Sequence, residues 1–390
     1  MFSIHLGGKH EKVIAVADIG SGSAGFAVLA VRATGPATIL AADRSILGIE
    51  ERTKEQLIVG IGQMLSDVGT KVLKSYTESA AGKKLGPPQQ VYCIIRAPWA
   101  RSFSANAEII FPQEQVITKK MIGDLAKEAL AKNTAIDRTN ILESVVIRVE
   151  LNGYATGKPL GKHAHEIRST TFESDCESAM RKAIVEGLGT LLPGRNPTLR
   201  SSARAFLKIV QERSAHPSAY VIIDMGSEAT TFIAVHDGIV TNSAVIPEGV
   251  RTMLHRIVGG SGMQEETLAL MRMVVAGSCS AAACATLNDA LARIEPELVR
   301  VFGGAMANFS ATRRLPNTLI LSTHPDIAPW LGHLFSRIDF SQFTATLQPF
   351  SVELLTSQHL RDAAAPIAGL SPDTGVTVAC AFVNSEEQSV

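Results

Sequence analysis

Apolar residues fall into short blocks along the chain, and one arrangement of them occurs twice. The first copy runs from Val13 to Val31, with Asp18-Ile19-Gly20-Ser21-Gly22-Ser23 at its centre. The second runs from Tyr220 to Val235, around Asp224-Met225-Gly226-Ser227-Glu228-Ala229-Thr230-Thr231. Each is a Val- and Ile-rich run that reaches an Asp, a turn of small residues, and a second apolar run. Blocks this short and this β-branched predict strands rather than helices. The turns fit tight hairpins whose backbone N–H groups point outward, a geometry suited to phosphate. A single Asp-x-Gly after a strand reads as an ordinary β-turn. Two copies about half a chain apart predict two similar lobes, each offering an Asp and a phosphate-facing turn to a shared cleft.

Between and after the copies the period changes. Residues Leu57, Ile58, Ile61, Leu65, Val68, Val72 and Leu73 have helical spacing, with Thr53 placed as an N-cap. Gly86-Pro87-Pro88 marks a boundary. From residue 89 to 173 a separate unit is expected. It reads as strands at Val91 to Ile95 and Ala107 to Phe111, a helix from Thr118 to Lys132, then strands at Ile141 to Val149 and His165 to Phe172. Helices are expected at Asp175 to Thr190, Arg200 to Arg213, Arg251 to Val258, Glu265 to Val275, Ala281 to Val301 and Ile327 to Phe335. Thr318 to Ser322 reads as a strand, Val376 to Phe382 as a closing apolar run, and Asn384 to Val390 as a polar tail. Ala215 to Ser218 separates the lobes. Gly259-Gly260-Ser261-Gly262 reads as a link, because no strand precedes it as a phosphate loop requires.

Composition narrows the function. The chain has 390 residues, 46% hydrophobic and 19% charged, with zero formal net charge. That is a packed protein with room for two lobes, and it lacks the basic surplus of a nucleic-acid binder. Five scattered cysteines, with no C-x-x-C pair, predict reduced thiols rather than a disulfide framework or a zinc site. Met1 to His10 has no signal-peptide core, and no run approaches the roughly 20 apolar residues of a membrane span.

The paired hairpins resemble the actin-like ATPase superfamily, which includes sugar kinases and heat-shock chaperone ATPases. The resemblance implies an α/β, two-lobed actin-like (ribonuclease H-like) fold with an inserted strand-strand-helix-strand-strand subdomain in the first lobe. The insert resembles that of the cell-division protein FtsA and its pilus relative PilM. The matching segments are Ile117-Thr118, Asn140-Ile141-Leu142-Glu143, Leu151-Asn152-Gly153-Tyr154 and Lys158-Pro159-Leu160-Gly161-Lys162. In detail they are nearer to FtsA. The implied division is 1–88 for the first part of lobe one, 89–173 for the insert, 174–216 for the return helices and 217–390 for lobe two, with a helical subdomain at 259–315.

The resemblance also implies ATP and magnesium, with Asp18 and Asp224 facing the metal through water. Gly20, Ser21, Gly22 and Ser23 would form one phosphate loop, and Gly226, Ser227, Thr230 and Thr231 the other. It implies a scaffold at the cytoplasmic face of the inner membrane, self-associating and bound to a division filament or a pilus inner-membrane component. The C-terminus offers no amphipathic helix, so membrane contact would come through a partner. Alternatives are a PilM-like pilus component and a small-molecule kinase. Three departures predict a weak or lost nucleotide site and at most a weak ATPase. Glu228-Ala229 stands where relatives have glycine, and Thr323-His324-Pro325-Asp326 replaces a Gly-rich turn. Only Glu266 and Arg272 offer themselves as a nucleoside-side pair. Neither His255 nor His324 is expected to be catalytic.

Overall fold

The computed structural model describes residues 11–48, 52–213, 217–258 and 264–389. Met1 to His10, Ala215-His216 and the Gly259 to Gly262 link lie outside them. The strands are β1 Lys12–Ile19, β2 Ser23–Val31, β3 Ala37–Ile46, β4 Gln90–Ile95, β5 Ala100–Val116, β6 Ile141–Leu151, β7 Tyr154–Ala155, β8 His163–Cys176, β9 Thr198–Ser201, β10 Ala219–Met225, β11 Thr230–His236, β12 Ile239–Ile246, β13 Thr318–Ser322, β14 Ser351–Leu354 and β15 Ala364–Pro366. The helices are α1 Lys54–Glu78, α2 Ala80–Leu85, α3 Lys119–Lys132, α4 Ser178–Leu191, α5 Ser202–Glu212, α6 Val250–Val258, α7 Gln264–Val275, α8 Ala281–Ser310, α9 Ala328–Phe335 and α10 Thr374–Gln388.

The chain divides into two compact units. The first comprises residues 1–95, 179–213 and 355–390. Its six-stranded sheet has the order β15-β3-β2-β1-β4-β9. Strands β1, β2 and β3 form an antiparallel meander, and β4 and β9 extend it in parallel on the far side of β1. Every residue of β1 after Lys12 is buried, as are those of β2 after Ser23. Such double-sided burial is why both read as continuous apolar runs rather than alternations. Helix α1 packs on β2 and β3, and α10 packs on β1, β2 and α5. Thr53 caps α1 in a reciprocal capping box with Gln56.

The second unit comprises residues 96–178 and 214–354. Its five-stranded sheet, β12-β11-β10-β13-β14, repeats the first one's pattern: an antiparallel meander, then two parallel strands. The internal duplication seen in the hairpins therefore extends to whole sheets. A core of Phe232, Leu254, Leu298, Phe302, Phe335 and their neighbours joins this sheet to α6, α7, α8 and α9. The same unit holds a four-stranded sheet, β5-β8-β6-β7, covered by α3 through Leu125 and Ala129. Thr118 caps α3 as its sequence predicts.

Several elements differ from the sequence reading. The strand at Val91 to Ile95 belongs to the first unit's sheet, paired in parallel with β1, and is not part of the insert. Pairing with a buried strand satisfies both of its faces, which the small insert sheet could not. The expected second lobe, 217–390, loses its last part, because residues 355–390 group with the first unit. There β15 adds to β3, and the apolar run becomes helix α10. Residues Val376 to Asn384 are all buried, so α10 is enclosed all round rather than amphipathic. Its polar end is held in place. Glu386 pairs with Arg200 and Arg204, and Glu387 with Lys12 and Tyr92. Cys279 and Cys284 form a disulfide, against the expectation of reduced thiols. They flank Ser280, the N-cap of α8, at the two positions where a hydrophobic staple would otherwise sit.

Candidate functional site: two arginine-clamped hairpins

Asp18 lies one residue before the end of β1. Its cross-strand neighbour on β2 is Gly25, and Gly25 faces Arg44 on β3. The glycine leaves the row open. A Cβ at position 25 would stand 2.9 Å from Arg44 Nη2 and 2.5 Å from Val376 Cγ2. Arg44 crosses that gap. Its Nη2 donates to Asp18 Oδ2, its Nη1 to Ser23 Oγ at 2.8 Å, and its Nε to Asp373 Oδ2 at 2.9 Å. Asp373 is the N-cap of α10, and its other oxygen accepts the Val376 N–H at 3.1 Å. Asp18 is 1% exposed. Burial pushes the Cys380 thiol on α10 far up in pKa, and the charges of Asp18 and Asp373 add to the shift.

The first turn closes on itself. The Gly20 N–H donates to the Ser23 carbonyl at 2.8 Å, and the Leu47 N–H to the Gly22 carbonyl at 2.9 Å. Ser21 is 1% exposed. The expectation of outward-pointing amides fails at Gly20, whose N–H the tight turn consumes.

The second hairpin is clamped from a different direction. Arg96, the residue after β4, places Nη1 2.8 and 3.0 Å from the two carboxylate oxygens of Asp224. Asp224 is 4% exposed. The Gly226 N–H closes the turn on the Ala229 carbonyl at 2.9 Å, as Gly20 does in the first copy. Glu228 does not stand as a bare negative charge. Arg251 holds it in a two-pronged pair, at 2.5 and 2.6 Å. The Val250 and Arg251 N–H groups, in the first turn of α6, donate to the Gly226 and Ser227 carbonyls at 2.9 Å each. This close approach requires Gly249, since a Cβ there would lie 2.2 Å from Ser227 O. Thr230 is fully buried and donates to the Glu248 carbonyl at 2.6 Å. Thr231, opposite Asp224, is 6% exposed.

The segment after β13 is closed as well. Arg272 pairs with Asp326 at 3.0 and 2.6 Å, and His324 Nδ1 accepts the Asp326 N–H at 3.3 Å. Burial lowers the His324 pKa, the Asp326 charge opposes that shift, and the Arg272 charge adds to it. Arg272, read as a nucleoside-side residue, is thus bound to the turn that departs from the family pattern.

The predicted residues therefore gather as two separate sets. Asp18, Gly20, Ser21, Gly22 and Ser23 lie on one turn. Asp224, Gly226, Ser227, Thr230 and Thr231 lie on or beside the other. Sequence reasoning missed Arg44, Arg96 and Arg251. They stand 26, 128 and 23 residues from the acids they hold. The one sequence signal for them is Gly25, which matters only once β3 is known to lie alongside it.

The fold implies ATP and magnesium, and the residues present do not fit a hydrated magnesium ion. Mg²⁺ keeps a near-octahedral shell of oxygens and waters and needs carboxylate oxygens turned to it. Here both acids are almost wholly buried and spend their charge on arginine. A divalent ion about 4 Å from a guanidinium would be repelled by roughly 8 kcal/mol at an effective dielectric of about 20. Among the described residues, no group of three or more His, Cys, Asp or Glu side chains is arranged to hold a metal.

Comparison with known proteins identifies the class through the fold. No protein-family model matches the chain, and no curated protein matches it. Two similar units built on duplicated hairpin sheets, with a small α/β insert, make this the actin-like ATPase fold. The form is that of PilM. A solved PilM–PilN type IV pilus biogenesis complex matches at a TM-score of 0.57 and 11% identity, over 96% of this chain and 99% of that one. At this identity the likeness is one of fold. The ethanolamine utilization protein EutJ from Carboxydothermus hydrogenoformans is similar over 96% of this chain and 89% of its own, at 10% identity and a TM-score of 0.45. Among the described residues no helix is long and apolar enough to cross a membrane.

Proposed function

We propose that this chain is an actin-fold scaffold that binds a protein partner and turns over little or no nucleotide. The observation that carries the reading is the pair of clamps, Arg44 on Asp18 and Arg96 on Asp224. They take up the two charges a metal-nucleotide would need. A pilus-type role is favoured over an FtsA-like division role, because the matching structure is a complex of PilM with its partner PilN. On this reading the partner supplies contact with the inner membrane, and ATP binds weakly or not at all. A small-molecule kinase would need a base beside the transferred phosphate, and no observation favours it.

Calorimetry and a phosphate-release assay with ATP and magnesium test the enzymatic half. We expect little or no heat, and turnover far below the roughly 1–10³ per second of ordinary enzymes. Turnover in that range would overturn the reading. Self-association and partner capture are proposed to use the insert, residues 100–176, from the start of β5 to the end of β8. The protein lacking that segment should sediment without assembling, and unchanged assembly would rule the insert out as the contact.

A further inference from the structure

The insert ends, away from the segments that join it to its unit, in a surface of unpaired cations and exposed apolar side chains. Strands β5 and β8 run together from a base where Ala100 faces Cys176 to a far end where Val116 faces His163. Two backbone bonds extend the pairing. The Ile117 N–H donates to the Lys162 carbonyl at 2.8 Å, and the Gly161 N–H to the Ile117 carbonyl at 2.9 Å. Lys119 and Lys120 follow at once in the first turn of α3. The β6–β7 hairpin turns at the same end, where the Asn152 N–H donates to the Glu166 carbonyl at 3.0 Å. Lys162 Nζ donates to Thr156 Oγ1, just past β7, at 2.9 Å. Residues 112–120 and 152–165 therefore meet at one end of the sheet.

Charge there is one-sided. Four lysines, Lys119, Lys120, Lys158 and Lys162, stand against one acid, Glu114, a net charge of +3 with histidines neutral. All four are exposed, and among the described residues none pairs with a carboxylate. Acids elsewhere in the insert are already engaged: Glu108 with Arg168 at 2.7 Å, Glu150 with Arg148 at 2.7 Å, and Glu128 with Lys132 at 2.5 Å. Cations at a helix start oppose the helix dipole, so Lys119 and Lys120 do not serve the stability of α3. The same end exposes apolar side chains: Tyr154 is 79% exposed, Leu160 57% and Val116 45%. One exposed apolar residue is ordinary. Three of them beside four uncompensated lysines match a surface that is anionic outside and apolar beneath.

We propose that this end of the insert docks on an anionic lipid bilayer. The four lysines reach headgroup phosphates, the Tyr154 ring sits at headgroup level, and Leu160 and Val116 enter the apolar boundary. Nucleic acid would engage the lysines but give the aliphatic side chains nothing to bury against. The contact is peripheral and sensitive to salt, because exposed charges are screened over about 10 Å at 0.1 M. It is additional to the protein partner of the scaffold reading and does not rest on it.

The test is sedimentation of the full chain, without any partner, with vesicles of phosphatidylcholine alone or mixed equally with phosphatidylglycerol. Binding to the anionic vesicles should exceed that to the neutral ones by about tenfold or more, and fall steeply as salt rises. Lys120→Gln with Lys158→Gln should weaken it about twentyfold, at roughly fivefold per lysine. Tyr154→Ser with Leu160→Ser should weaken it severalfold, with circular dichroism confirming that both variants fold. The proposal is overturned if neutral vesicles bind as well as anionic ones, if either double variant binds within twofold of wild type, or if no vesicle binds. Tighter binding to duplex DNA than to anionic vesicles would assign the surface to nucleic acid and overturn it as well.

Discussion

Arg44→Met separates a buried ion pair from a mere surface contact. Methionine keeps much of the apolar stem but removes the charge that holds Asp18, leaving that carboxylate 1% exposed. Removing one partner of a buried pair costs about 3–5 kcal/mol, since the remaining charge stays uncompensated. The same change strips a contact from Asp373, the cap of α10, so the upper part of that range is expected. For units of this size the loss lowers Tm by on the order of 10 °C, at roughly 2–4 °C per kcal/mol. The companion is the double variant Asp18→Asn, Arg44→Met, which removes both charges. It should regain at least half of the loss, because neutral replacement of a buried pair is often close to neutral in stability. Both tryptophans, Trp99 and Trp330, lie in the second unit, so far-UV circular dichroism is the signal to follow in urea. If Arg44→Met unfolds within 1 kcal/mol of wild type, or the double variant is no more stable than the single, Arg44 does not compensate a buried Asp18.

Other consequences are checked more quickly. Glu173 has a raised pKa when folded, so the native state binds its proton more tightly than the unfolded chain. Its effect is to lower stability as pH rises from the ordinary carboxylate value of about 4.5 through the raised one. Glu173→Gln should therefore be more stable than wild type above that window and gain nothing below it, in urea titrations at pH 4 and pH 8. Gly249→Ala forces a Cβ against Ser227 O and should cost roughly 1–3 kcal/mol by thermal melting. Reducing the Cys279–Cys284 bond should cost about 2 kcal/mol by loop entropy, with faster hydrogen exchange at the start of α8.

Much of this fold is legible in the sequence because its signals are local. The two hairpins announce themselves by composition, and Thr53 and Thr118 mark helix starts through side chains that bond backbone three residues on. Other features depend on long-range placement. The run from Val376 to Phe382 is apolar enough for a buried strand or a buried helix, and only packing on β1, β2 and α5 decides the matter. Val91 to Ile95 reads correctly as a strand, yet its sheet is set by pairing with β1. In the candidate site the acids are visible and their arginines are not. Arg96 and Asp224 are 128 residues apart, and neither carries a local mark of the other. Glu228 reads as repulsive for the same reason, since its neutralisation comes from Arg251 on the following helix.

The two clamps also show how far the duplication of the sheets extends to their charges. They are not copies of one another, although the sheets are. Arg44 reaches Asp18 from the third strand of the meander, whereas Arg96 reaches Asp224 from the chain just past β4. The two acids are thus neutralised independently, each by an arginine from a different element. Removing either arginine alone takes the counter-charge from one acid and leaves the other clamp in place. The same strand pattern thus carries two non-equivalent clamps, so a change in one unit's hairpin leaves the other's electrostatics as they are.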